Sequence, residues 1–159
     1  MSLEIKHWRE APPNRVGWEH RRAPAQASSA DLLWYFFPGD VEVAYGGAAL
    51  ASRGASVPAL HFVAGIIGAR DTLAAGDDAR YTYSFTEADQ WIDFWADKKV
   101  HIECNFSDSV LTIPLEEFSR EVCDFARREI DDLVLEYPAL LMHPLVRDLL
   151  RKCDDGKVI

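Results

Sequence analysis

Cysteine is scarce, with three in 159 residues, Cys104, Cys123 and Cys153. An odd number without a C-x-x-C spacing supplies neither a disulfide framework nor a zinc site. Long apolar runs are missing too. No stretch approaches the roughly 18 residues of a membrane span, and the first residues lack the apolar core of a secretory signal. The expectation is a cytoplasmic protein with no membrane association. Basic charge is in short supply: 17 Lys and Arg face 26 Asp and Glu, a net charge of −9. Such a balance opposes binding to nucleic-acid phosphates and favours basic partners.

Catalytic signatures are equally thin. The chain has no G-x-S-x-G, no H-E-x-x-H, no G-x-G-x-x-G and no phosphate-binding loop. His7, His20, His61, His101 and His143 are scattered without an i,i+4 pair, so no metal site is expected. His101-Ile102-Glu103 spells the H-x-E of zinc deaminases, but the partner P-C-x-x-C is absent and the segment alternates as a strand. No residue is assigned a catalytic role, and no cofactor is called for.

What is present is the composition of one globular domain, 48% hydrophobic and 27% charged, of a length that allows a single core. Residues 1–30 read as an extended, partly ordered arm, because 9–30 hold three prolines and no apolar periodicity. Trp8 and Trp18 argue that this arm finds some cover. Residues 31–159 read as a single α+β domain. Leu32–Phe37 is an apolar run, taken as a strand, stopped by the turn chemistry of Pro38-Gly39-Asp40. Val41–Tyr45 and Ala48–Arg53 pair across Gly46-Gly47. Ser56 as N-cap and Pro58 in the first turn open a helix from Val57 to about Leu73, ended by Gly76 and Asp77-Asp78. On it His61, Gly65, Gly68 and Thr72 form one stripe, the mark of a strand or loop in close approach.

Residues 80–113 alternate as four short strands of an antiparallel meander. Tyr81, Tyr83 and Phe85 share a face of the first, and Ile92, Phe94 and Ala96 face the core from the second. Pro114 opens a long helix, Leu115–Tyr137, whose core stripe runs Phe118, Val122, Phe125, Ala126, Ile130, Leu133 and Tyr137. A short amphipathic helix, Leu145–Lys152, follows, and the last six residues are expected to fray. Cys104 and Cys123 fall on core faces, and Cys153 falls in the frayed end. The fold expected is an antiparallel sheet of six or seven strands, with a short buried helix and a long C-terminal helix packed on one face.

Residues 77–137 carry sixteen acidic against six basic side chains, so the excess charge sits in one stretch. Glu117, Glu121, Asp124 and Asp131 on the long helix, with Asp89 and Asp93 from the meander, are read as a docking surface for a basic partner. The competing reading is a solvated face that confers solubility. Trp91 and Trp95 share a strand face with Asp93 and join the docking set as aromatic anchors. The N-terminal arm or the C-terminal helix is expected to lie over them.

The order of landmarks carries a resemblance. A first strand ending at Pro38-Gly39-Asp40, a glycine hairpin and a Pro58 helix are followed by Tyr81-Thr82-Tyr83-Ser84-Phe85 and the step Ile113-Pro114-Leu115-Glu116-Glu117-Phe118. Over residues 31–137 this layout resembles small acidic bacterial immunity-like proteins of polymorphic toxin systems. The resemblance implies a non-enzymatic protein that occludes a basic toxin domain, and it implies no catalytic residue. The alternative is a small enzyme or small-ligand-binding protein with a pocket between sheet and helix near His61.

Overall fold

A computed structural model describes residues 1–10, 17–76 and 78–155. The α+β class holds, but the strands divide between two four-stranded antiparallel sheets. The first is built around β2 (Pro38–Tyr45), which pairs along its length with β1 (Glu4–Arg9) on one side. On its other side it pairs with β3 (Ala48–Ala51) and the short β4 (Val57–Pro58). Gly46 and Gly47 turn β2 into β3 with φ of 62° and 85°, as the hairpin reading requires. The second sheet is the expected meander: β5 (Arg80–Ser84), β6 (Trp91–Ala96), β7 (Val100–Cys104) and β8 (Leu111–Ile113), in that spatial order.

Three local readings are corrected. Part of the N-terminal arm is strand β1, which buries Ile5 and His7 while Glu4 and Lys6 face solvent; Leu3 just before it is buried too. Trp18 stacks on Tyr35 at 4.4 Å, which ties residues 17–20 to the fold, whereas Trp8 stays 46% exposed. Leu32–Phe37 is mostly helix, not strand. Helix α1 (Ser29–Tyr35) is capped by Ser28, whose Oγ accepts the Asp31 amide at 3.1 Å. Pro38-Gly39-Asp40 therefore opens β2 and is not a turn. A Cβ on Gly39 would lie 1.9 Å from the Trp8 carbonyl oxygen, so glycine there lets β1 close on β2. Ser56 has φ of 51° and donates its hydroxyl to Glu10, so Pro58, not Ser56, precedes the helix.

Helix α2 (Ala59–Ala74) is the buried helix, apolar on nearly every side. Helix α3 (Leu115–Glu136) packs through Phe118, Val122, Phe125, Ala126, Ile130 and Leu133, the expected stripe as far as Leu133. Phe125 meets Phe62 of α2 edge-on at 5.5 Å, and Phe118 meets Phe94 of β6 at 5.9 Å. The two helices and the inner faces of both sheets thus share one core. Among the described residues no helix is long and apolar enough to cross a membrane.

Helix α4 (Pro144–Asp155) overturns the cysteine reading. Cys153 is fully buried and forms a disulfide with Cys123 of α3, leaving Cys104 as the free thiol. Val146, Leu149 and Cys153 make one inward stripe at spacings of three and four, so Cys153 belongs to the core and not to a frayed end. Arg70 of α2, 3% exposed, holds the same end by donating to the Lys152 carbonyl at 2.8 Å and towards that of Cys153 at 3.4 Å. A cation against the last carbonyls of a helix also complements its dipole. Helix α2 ends at Ala74, close to the expected Leu73; Asp77 of the expected stop, the proline segment 11–16 and residues 156–159 lie outside the described residues.

Candidate functional site

The side-chain alternation of β6 sends Ile92, Phe94 and Ala96 into the core and Trp91, Asp93 and Trp95 to the opposite face. Both α2, which packs on Tyr83, and α3, which packs on Phe94, lie on the core side. Among the described residues no ring contact or hydrogen bond from the N-terminal segment or α4 reaches Trp91 or Trp95. Their cover comes from the sheet itself. Trp95 stacks on His101 of β7 at 5.3 Å, and the Arg80 guanidinium lies 5.5 Å above its ring. Trp91 and Trp95 both remain half-buried.

Asp93, between the tryptophans, is only 8% exposed, screened by contacts from neighbouring strands and not by depth. Arg80 Nη2 donates to its Oδ2 at 2.7 Å, and the Thr82 hydroxyl donates to its Oδ1. Burial pulls this carboxyl upward, but the Thr82 and Arg80 hydrogen bonds and the guanidinium charge outweigh it, and the net shift is down. Glu103 stands 3.8 Å from the same guanidinium. His101 bridges the Asp97 carboxylate and the Thr112 hydroxyl at 3.1 Å each. His101 and Glu103 share this outward face in mid-strand, as the alternation requires. The result is a sheet face of paired charges and half-buried aromatic rings.

The acidic set does not assemble as one surface. Asp89 is exposed at the start of the β6 face, where its carbonyl accepts from Asn105 at 3.0 Å. Glu117 and Glu121 turn inward along β1 and accept the amides of Leu3 at 3.0 Å and Ile5 at 2.6 Å. Arg128 completes this seal by donating to the Ile5 carbonyl at 3.0 Å. His7 lies in the same seam, 2.7 Å from the Val57 carbonyl and 3.3 Å from Glu129. Only Asp124 and Asp131 of the helix set stay exposed, and they lie across the core from Trp91 and Trp95.

A groove of about 330 Å³ lies between α2 and β5, beside His61. The stripe foreseen on α2 is what brings the strand close. A Cβ on Gly65 would lie 2.2 Å from the Tyr83 ring, and one on Gly68 would lie 3.0 Å from the Tyr81 hydroxyl. Burial pushes the Tyr83 phenol well above its ordinary range, so it stays protonated and donates to His61 Nδ1 at 2.7 Å. Burial also lowers the His61 pKa, which favours the neutral imidazole. Trp34 of α1, 46% exposed, tilts over that imidazole at 4.6 Å. The sequence reading missed Trp34 as a wall of this region because it placed residue 34 in a strand. The signal was Ser28 with Asp31 three residues later, a capped helix start.

Among the described residues no group of three or more His, Cys, Asp or Glu is arranged to hold a metal ion. Comparison of the chain with family models, with curated proteins and with solved structures found no match.

Proposed function

We propose that the chain is a non-enzymatic protein-binding domain that docks a basic partner, acting as an immunity-like inhibitor of a toxin domain. The observation that supports this most is the outer face of the β5–β8 sheet. There Trp91 and Trp95, half-buried, flank the ion-paired Asp93 on the side opposite α2 and α3. Aromatic anchors beside a charge pair, here the buried Asp93 and the exposed Arg80, are the chemistry of binding hot spots. The acidic excess of residues 77–137 adds a field that draws a basic partner in and restricts which partners fit. The reading places the protein in the cytoplasm.

The test uses basic toxin domains, beginning with any encoded beside this chain. Wild type is expected to restore growth to cells expressing the toxin, and a Trp91→Ala/Trp95→Ala variant is expected to fail. Association with the purified toxin domain should slow as salt screens the field. Equal protection by the double variant, or an association rate indifferent to ionic strength, sinks the reading.

A further inference from the structure

The β5–β8 sheet ends on β5, and among the described residues no strand pairs with its outer edge. Ala96 donates its amide to the Ala79 carbonyl at 3.2 Å, and Phe85 donates to Gln90 at 2.9 Å. Hydrogen-bonded pairs alternate along an antiparallel ladder, so Tyr81 and Tyr83 also turn their backbone groups towards β6. Arg80, Thr82 and Ser84 therefore turn theirs away from it, and no other described strand pairs with β5. The contrast with β1 is direct, since that edge is sealed by Glu117, Glu121 and Arg128. The other sheet edges among the described strands, β3, β4 and β8, are four, two and three residues long.

The groove beside His61 runs along this edge, with residues 81–84 as one wall and Ala64 and Gly65 of α2 as its floor. A row of outward amides and carbonyls is satisfied by another extended backbone, which a compact small molecule does not provide. A strand laid there would point alternate side chains at the small residues of α2 and the others at Thr82 and Ser84. Charge selects further. Exposed Asp78 precedes β5 and exposed Glu87 follows it, while the Arg80 guanidinium between them is already paired with Asp93.

We propose that this edge receives an extended segment of a partner protein as a fifth strand, about five residues long, with small or branched apolar side chains over α2 and a basic residue near each end. The inference rests on the protein-binding reading above and names how the partner is held.

A phage-displayed library of random nonapeptides, selected on the intact protein, tests it. Ser84→Pro removes an outward amide that the fold does not use, and Ala64→Trp fills the groove from the helix side. Selected peptides are expected to alternate apolar and polar residues, to carry Lys or Arg near both ends, and to bind each variant at least tenfold more weakly. Should Ser84→Pro disturb the fold by circular dichroism, Ala64→Trp carries the comparison. Bound peptide should also slow amide exchange at Thr82 and Ser84. No enrichment, or peptides that bind both variants as tightly as wild type, overturns the assignment. Peptides lost only on Trp95→Ala overturn the edge while leaving docking on the outer face intact. A dimer of this chain abolished by Ser84→Pro would make the occupant a second copy and overturn the assignment to a partner.

Discussion

Glu121 Oε2 accepts the amide of Ile5 at 2.6 Å, so a helix carboxylate stands where a neighbouring strand would pair with β1. Glu117 does the same for Leu3 one helical turn earlier. Two residues whose charge reads as partner chemistry are committed to closing the edge of a sheet.

Removing that closure should cost more than removing surface charge. Glu121→Ala is expected to lower stability by about 1.5–3 kcal/mol, the range for a hydrogen bond to a charged group, and to increase self-association. Asp124→Lys and Asp131→Lys, at exposed positions, should each stay within about 0.5 kcal/mol of wild type. Urea unfolding decides between them. Equal costs at all three positions would return Glu121 to the docking set.

The two glycines of α2 should respond in opposite ways to alanine. Gly65→Ala gains about 1 kcal/mol of helix propensity but drives a methyl group into the Tyr83 ring. That ring is fixed by Phe62 and Phe85 at 5.4 and 5.9 Å, and overpacking costs about 1–3 kcal/mol. A net loss is expected. Gly68→Ala meets only the mobile end of half-buried Tyr81 and should be neutral or stabilising. Thermal unfolding of both variants gives the comparison, and a stabilised Gly65→Ala would show that Tyr83 yields.

Thiol counting tests the link between α3 and α4. Without reductant the native protein should show no rapidly reacting thiol, because Cys104 is buried and burial raises its pKa. Denatured protein should then show one thiol, and denatured, reduced protein three. Cys153→Ser is expected to cost about 3–4 kcal/mol, the chain-entropy value for a crosslink over a separation of 30 residues. Three thiols in denatured protein that has never met reductant would mean the pair is not oxidised.

Acid should weaken the protein partly through His61. Its folded pKa lies below the ordinary value, with burial as the cause, so the unfolded chain takes up this proton first. The contribution is fully present above about 6.5 and is lost as pH falls from there through the folded value. His61→Gln should therefore flatten the fall in midpoint temperature between pH 7.5 and 5.5. An identical slope in wild type and variant would assign the acid sensitivity to other groups.

The legible parts of the chain were those where one face is buried and the other wet. Alternation from Arg80 to Ile113 and the three-and-four spacing from Phe118 to Leu133 each have a single solution, and both were recovered with correct faces. Leu32–Phe37 has no polar face to set a period, and a continuous apolar run fits helix and strand alike. β1 was hidden because its inward set is only Ile5 and a histidine. The disulfide was hidden by a fraying assumption, although Val146, Leu149 and Cys153 already spelled a core stripe. At the candidate site, the shared face of Trp91, Asp93 and Trp95 follows from strand parity alone. The use of Glu117 and Glu121 does not, since their partners are backbone amides 114 and 116 residues away.

That separation has a consequence for the nascent chain. β1 leaves the ribosome more than a hundred residues ahead of Glu117 and Glu121. At about 5–20 residues per second, roughly 6–23 s pass between synthesis of Leu3 and of its carboxylate cap. During that interval the outer amides of β1 have no intramolecular partner of this kind. Translation speed, and any holdase bound to β1, should thus influence the yield of folded protein.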